Sequence, residues 1–121
     1  MSPSQKDFHK KLLGLVGEKT AVKYLKSQKY KILETNYKRA TGEIDIIAKD
    51  GNCTVFVEVK TRTSDVYGMP SEAVNVQKQL KYRKTAEFYL LEKGLSDSPC
   101  RFDVIEILDG QINHINNAFC M

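Results

Sequence analysis

The middle of the chain alternates hydrophobic and polar positions, which is the pattern of half-buried β-strands. The clearest stretch, Gly42 to Arg62, predicts two strands joined by a tight turn at Asp50-Gly51-Asn52. A shorter alternation predicts an edge-like strand from Tyr30 to Tyr37, followed by a polar, basic turn over residues 36–42. Near the end, Arg101–Leu108 and Gln111–Asn117 form two further predicted strands. The Asp-Gly pair between them is typical of a hairpin turn.

One helix is predicted before the central strands in the sequence and one after them, because apolar residues recur in both segments three or four positions apart. The first runs from about Gln5 to Gln28, with Leu12, Leu15 and Leu25 on its apolar side. The second runs from about Glu72 to Lys93, with Ser71 as its cap. The predicted order is therefore α-β-β-β-α-β-β, an α/β fold. At 121 residues and 41% hydrophobic content, the chain is expected to form one domain, residues 1–121.

The amino-acid composition limits the classes of function that we expect for this chain. The 19 Lys and Arg residues exceed the 15 Asp and Glu residues by 4, which permits a polyanionic partner without requiring one. The three cysteines are far apart and form no C-x-x-C pair, which argues against a zinc site and favours a reducing compartment. No stretch is long and apolar enough to span a membrane, so we expect a cytoplasmic protein without a membrane partner.

The two central strands contain charged residues at positions where burial is expected. Asp45 lies in the first strand, and Glu58 and Lys60 share one face of the second because side chains alternate. Buried charges need a partner or a metal, and carboxylates are the preferred ligands of Mg²⁺. We therefore expect Asp45, Glu58 and the Val59 carbonyl to bind Mg²⁺ or Mn²⁺, with Lys60 orienting or deprotonating a water. A plain salt bridge between Glu58 and Lys60 is the alternative.

Further charged residues have two interpretations each. Glu18 in the first helix is either a solvated glutamate or a third carboxylate of the site, and Glu43 either assists Asp45 or meets solvent. The basic residues near the predicted site are either solvated or contact nucleic-acid phosphates. This basic set comprises Lys38, Arg39, Arg62, Lys78 and Lys81.

Three motifs resemble the YraN family of small bacterial proteins: Gly42-Glu43-Ile44-Asp45-Ile46-Ile47-Ala48, Phe56-Val57-Glu58-Val59-Lys60-Thr61-Arg62 and Arg101-Phe102-Asp103-Val104. Gly17-Glu18, followed by Ala21 and Tyr24-Leu25, adds to the resemblance, which covers nearly the whole chain. That family resembles a branch of the PD-(D/E)xK nuclease superfamily and is similar to Holliday-junction resolvases. The resemblance implies a restriction-endonuclease-like core, in which helices flank a mixed central sheet.

Carried over by motif, the resemblance assigns the catalytic acids to Asp45 and Glu58, the catalytic lysine to Lys60 and the helical glutamate to Glu18. Ile44 stands where the superfamily has a proline, and Asp103 is interpreted as support for a strand and turn. The first hypothesis is a Mg²⁺- or Mn²⁺-dependent DNA endonuclease acting on branched or damaged structures, for which symmetric cutting would require a homodimer. The rivals are a non-catalytic nucleic-acid-binding module with the same fold and an interaction protein with no nucleic-acid role.

Overall fold

The computed structural model describes residues 5–62 and 75–119, which form two helices and five strands. Their order, α-β-β-β-α-β-β, confirms the order and the α/β class predicted from the sequence. The elements are α1 (Gln5–Ser27), β1 (Lys31–Arg39), β2 (Gly42–Asp50), β3 (Cys53–Arg62), α2 (Val76–Glu92), β4 (Cys100–Leu108) and β5 (Gln111–Phe119).

The five strands form one mixed sheet in the order β1-β2-β3-β4-β5. β3 and β4 are parallel, and the other neighbouring pairs are antiparallel. A parallel neighbour cannot be reached through a tight hairpin, so the chain crosses from β3 to β4 through a connection that contains α2. β1 lies at one edge, as its sequence predicted.

Apolar side chains cover both faces of the sheet and form two separate clusters. The cluster on the α2 side contains Phe56, Phe102 and Tyr89, and the cluster on the α1 side contains Val55, Val57 and Leu25. Successive β3 residues alternate between the two clusters, as strand geometry requires. Because both faces are covered, a charged residue on β3 can reach water only near the ends of the strand.

The first hairpin differs from the prediction at its turn. Residues 36–39 belong to β1, because the β1–β2 ladder continues to the pair Arg39 and Gly42. The turn is consequently only Ala40 and Thr41, and Gly42 after it has φ +149°, a conformation that favours glycine. Lys38 and Arg39 therefore lie on a strand and not in a loop.

The second helix begins later than predicted. Its cap is Asn75, whose side chain accepts a hydrogen bond from the Lys78 backbone N–H at 2.9 Å. The extended backbone of Asn75 sets the start of α2 at Val76, since a cap residue lies outside the helix. Ser71 and residues 72–74 lie outside the described residues.

Among the α1 side chains that the structure describes, from residue 11 onward, those buried against the sheet lie in the C-terminal half of the helix. Ala21 and Leu25 are fully buried, whereas Leu12, Leu15 and Val16 are about half exposed. The apolar side predicted for the helix is therefore wrong over its earlier turns. Gly17 is buried because α1 approaches Thr61 of β3 so closely that a β-carbon at position 17 would overlap the threonine hydroxyl.

Candidate functional site

Asp45 lies where the pairing of β2 with β3 stops. The ladder ends at the pair Ile46 and Val57, and the Asp45 Oδ2 atom instead accepts a hydrogen bond from the Val59 N–H at 2.9 Å. In an extended strand, the N–H and C=O of one residue leave on the same edge. The Val59 carbonyl is therefore directed toward the same gap as the Asp45 carboxylate.

Glu58 is buried beside this gap and interacts with two lysines. Its side chain is 5% exposed, and its Oε1 atom lies 3.0 Å from Lys60 Nζ and 2.6 Å from Lys78 Nζ. Lys60 shares a β3 face with Glu58, whereas Lys78 comes from the first turn of α2. The other oxygen, Oε2, is buried and accepts no hydrogen bond from any residue in the ranges 5–62 and 75–119. A buried carboxylate oxygen without a donor is costly, which makes this atom a candidate for ligand contact.

Lys60 and Lys78 share the Glu58 carboxylate, and their pKa values are shifted in opposite directions. Burial lowers the pKa of Lys60, and the adjacent Lys78 ammonium lowers it further against the attraction of Glu58. Burial also opposes charge on Lys78, but its hydrogen bonds to Glu58 and Lys60 raise its pKa overall. Lys78 therefore keeps its positive charge, and Lys60 is the lysine that loses a proton more readily.

Asn36 links two further carboxylates to the site. When its amide is oriented with the nitrogen toward the acids, Asn36 donates to the two Glu18 oxygens at 3.2 and 3.3 Å and to Glu43 Oε1 at 3.1 Å. Asn36 adopts a left-handed backbone, φ +53°, which asparagine tolerates better than most residues. Glu18 from α1 and Glu43 from β2 are thus held together within electrostatic reach of Asp45.

Burial and the neighbouring acids both disfavour ionisation of the Asp45 carboxyl group. Burial, the largest cause, raises the pKa of Asp45 to about 6, although the Val59 N–H favours the charged form. The negative charges of Glu58, Glu18 and Glu43 raise it further. A positive ion beside Asp45 would relieve both causes at once.

A cleft of about 500 Å³ opens onto these groups between β2 and the start of α2. The Asp45 and Glu58 carboxylates both line it, so the sheet turns them toward one space. Lys81 and Tyr82 of α2 line the opposite side. Burial, followed by the charges of Glu58 and Asp45, raises the pKa of Tyr82, so its hydroxyl stays protonated.

The basic residues expected to bind nucleic acid fall into two groups. Lys78 and Lys81 line the cleft. Arg39 does not join them, because its guanidinium donates to both Glu92 oxygens at 3.0 and 2.9 Å and lies 4.1 Å from the centre of the Tyr37 ring. Glu92 ends α2, about 20 Å along the helix axis from Lys78.

Two other basic residues lie close to the acids in the strands. Lys38 is exposed and sits opposite Glu43 in the β1–β2 ladder. Arg62 ends β3, two positions beyond Lys60, and its buried Nε atom has no hydrogen-bond partner in the part of the chain that the structure describes. The alternation of the strand places Arg62 on the Glu58 face, so its guanidinium extends the positive charge along β3.

The oxygen atoms that face the cleft are of the kind that a hard divalent cation such as Mg²⁺ prefers as ligands. Asp45, Glu58 and the Val59 carbonyl supply oxygen atoms, and within the described residues the buried Glu58 Oε2 atom has no hydrogen-bond donor. Within residues 5–62 and 75–119, however, no three His, Cys, Asp or Glu side chains converge as a ready-made metal site. Any cation would therefore rely on water for much of its coordination, as Mg²⁺ commonly does.

Comparison with known proteins places the chain in a family. Residues 17–107 match the uncharacterised protein family UPF0102. A UPF0102 protein of Alkaliphilus metalliredigens is 50% identical over 112 residues, covering 90% of this chain and 98% of the relative. One from Thermodesulfovibrio yellowstonii is 53% identical over 109 residues, covering 88% and 95%. The chain belongs to the UPF0102 family. This confirms the YraN resemblance seen in the sequence.

For this UPF0102 member, sequence reasoning missed two residues that shape the site. Asn36 was assigned to a turn, although an asparagine inside an otherwise alternating strand is itself a signal of irregular backbone. Tyr82 was not singled out, because an aromatic residue on a helix is most often core.

Among the described residues, no helix is long and apolar enough to cross a membrane.

Proposed function

We propose that this UPF0102 protein is a metal-dependent endonuclease that hydrolyses DNA phosphodiester bonds in the cytoplasm, on branched or damaged structures. The observation that carries the proposal is the pair of strand carboxylates, Asp45 and Glu58, facing one cleft with a buried, unpartnered Glu58 oxygen and two adjacent lysines. The mixed sheet with flanking helices supports it, since this arrangement resembles the PD-(D/E)xK core. Fold likeness alone would be analogy, so the site carries the argument.

Each residue has a distinct part in the proposal. Asp45, Glu58 and the Val59 carbonyl would hold Mg²⁺ or Mn²⁺, which supplies Lewis acidity toward a phosphoryl oxygen when bound. Lys60, with its lowered pKa, orients the attacking water and accepts its proton. Glu18 supports Asp45 by adding negative charge that favours cation binding.

The cleft rim would hold the substrate. Lys81 and Arg62 contribute positive charge toward the phosphates flanking the cleavage point. Lys38 extends this charge from β1, opposite Glu43. Arg39 has no part in this role, since Glu92 engages its guanidinium away from the cleft. Symmetric cutting of a branched substrate would require two copies of the chain.

Titration of Mn²⁺ into the parent and Asp45→Asn proteins tests the site before any substrate is chosen. We expect the parent to bind Mn²⁺ and Asp45→Asn to lose binding, because the amide removes the negative charge that attracts the ion. Metal-dependent cleavage of junction, flap and single-stranded DNA should be lost with it. Asp97→Asn, an exposed loop substitution of the same chemistry, serves as the control. Equal cleavage by Asp45→Asn and the parent would refute the proposal.

A second function is favoured by the two lysines on Glu58. Because they already neutralise this carboxylate, the same cleft could bind a nucleic-acid backbone without turnover. This non-catalytic module predicts salt-dependent DNA binding and no product with any metal. The cleavage assay above separates the two functions directly.

A further inference from the structure

Lys78 makes a contact with the site that a simple phosphate-binding residue would not make. Its ammonium lies 2.6 Å from Glu58 Oε1, closer than the Lys60 ammonium at 3.0 Å. Lys60 follows Glu58 by two positions on one strand, so strand geometry alone places it there. Lys78 reaches the same oxygen from α2, in a different layer of the fold.

The position of Lys78 is fixed by the start of the helix. The Asn75 side chain accepts its backbone N–H, which holds the first turn of α2 at the cleft. Its side chain is 39% exposed, against 22% for Lys60, so Lys78 lies on the more open side of Glu58. An ammonium in this place can move into solvent without disturbing the sheet.

Two ammonium groups on one carboxylate oxygen supply more positive charge than Glu58 needs. Lys60 by itself would neutralise this single negative charge, which leaves Lys78 as a surplus cation. The negative charge of Asp45 also acts on the Lys78 ammonium and offsets this additional positive charge. Taken together, Asp45 and Glu58 carry two negative charges that two lysine ammonium groups balance.

The geometry points to Lys78 as a positioning residue that substitutes for the divalent cation. In the metal-free protein its ammonium neutralises Glu58, and it releases Glu58 when the cation binds, leaving Lys78 free to meet a substrate phosphate in the cleft. This inference rests on the proposed function, because it concerns the same cation site. It adds to the predicted phosphate contact of Lys78 a first partner within the site, the Glu58 carboxylate.

The test compares Mn²⁺ affinity among three lysine variants by calorimetry at fixed pH and ionic strength. Lys78→Met removes the competing charge and keeps the length of the side chain, and Lys78→Arg keeps the charge. Lys81→Met is the matched control, because Lys81 also lines the cleft and loses the same charge without contacting Glu58. Thermal unfolding of each variant establishes that it is folded before titration.

We expect Lys78→Met to bind Mn²⁺ about ten-fold more tightly than the parent, since it removes a positive charge that competes with the ion for the Glu58 carboxylate. Lys81→Met and Lys78→Arg should each stay within about two-fold of the parent, because Glu58 forms its ion pairs with Lys60 and Lys78 and arginine retains the charge at position 78. Lys78→Arg binding as tightly as Lys78→Met would contradict the role of charge.

The outcomes separate this inference from the proposed function. If the parent binds Mn²⁺ and Lys78→Met binds no more tightly than Lys81→Met, Lys78 is not a substitute for the cation and the metal site still stands. If the parent fails to bind and Lys78→Met binds, the competition is stronger than expected and the inference is supported. If neither protein binds Mn²⁺, both the metal site and the role of Lys78 are refuted.

Discussion

Asp45 weakens the metal-free protein at neutral pH, because its carboxylate is charged where burial and neighbouring acids disfavour charge. Its folded pKa of about 6 lies above the unfolded value of about 3.9. The folded state therefore binds more protons between these two values, and stability falls as pH rises through this window. Perturbed pKa values of this kind are common at functional sites, and this one is consistent with the proposed cation site.

We predict that Asp45→Asn stabilises the metal-free protein at pH 7 by about 2 to 3 kcal/mol, the equivalent of its pKa shift. The amide oxygen can still accept the Val59 N–H, so the fold is retained. Urea unfolding in the presence of a chelator, from pH 4 to pH 8, measures the difference. The difference should vanish near pH 4, and Asp97→Asn should show none. A variant less stable than the parent at pH 7 would contradict this account of Asp45.

At the scale of elements, the approach of α1 to β3 decides whether Glu18 reaches Asp45. Gly17 precedes Glu18 and packs directly on Thr61, whose branched side chain has little freedom to move aside. Gly14, one turn earlier, has open space around it. Of these two glycines, packing therefore requires only Gly17.

Gly17→Ala should destabilise the protein by about 1 to 3 kcal/mol, because the added methyl group overlaps Thr61 and pushes α1 away from the sheet. Gly14→Ala should instead stabilise it by up to about 1 kcal/mol through helix propensity. Chemical denaturation of both variants provides the comparison. The same sign for both changes would show that the contact with Thr61 is not limiting.

At the scale of the whole molecule, Asp103 connects parts of the fold that are distant in sequence. Its side chain is fully buried and accepts hydrogen bonds from Arg101 at 3.0 Å, His114 at 2.7 Å and the Asn117 N–H at 2.9 Å. His114 continues the connection to Tyr24 of α1 at 3.1 Å. Arg101 continues it to Asp50 at the end of β2 and to the Tyr30 hydroxyl. This network holds α1, β2, β4 and β5 together on the face opposite the cleft.

Asp103→Asn should lower the free energy of unfolding by about 3 kcal/mol at pH 7, because it removes a fully buried charge that Arg101 binds and leaves Arg101 with the more exposed Asp50 as its carboxylate partner. Burial opposes ionisation of Asp103, but the bonds from His114, Arg101 and Asn117 outweigh it and lower its pKa. Its stabilisation is therefore complete above the unfolded pKa and is lost as pH falls through the lower folded value.

Denaturation of parent and Asp103→Asn proteins between pH 2 and pH 7 checks this dependence. The gap between them should narrow at the acid end. Glu92→Gln, which alters the more exposed pair with Arg39, should cost much less than Asp103→Asn and serves as the control. A gap that widens toward low pH would refute the role given to the Asp103 charge.

The sequence by itself determined the order of the elements and the core of the candidate site. Alternation fixes Glu58 and Lys60 on one face of β3, and the short turn after Asp50 makes the strand of Asp45 its neighbour. These relations are local, so they hold wherever the helices pack. The end of β1 depends on pairing with β2, which extends the strand beyond the predicted Tyr37 to Arg39.

Only the tertiary structure decided what surrounds those residues. In the folded chain Lys78 forms an ion pair with Glu58. Asn36 donates hydrogen bonds to both Glu18 and Glu43. Arg39 pairs with Glu92, away from the cleft. These contacts join residues in different elements, and periodicity within one element carries no information about which helix turn will face which strand. The physical reason is that local pattern selects a buried face, whereas the partners on that face are selected by packing of the whole chain.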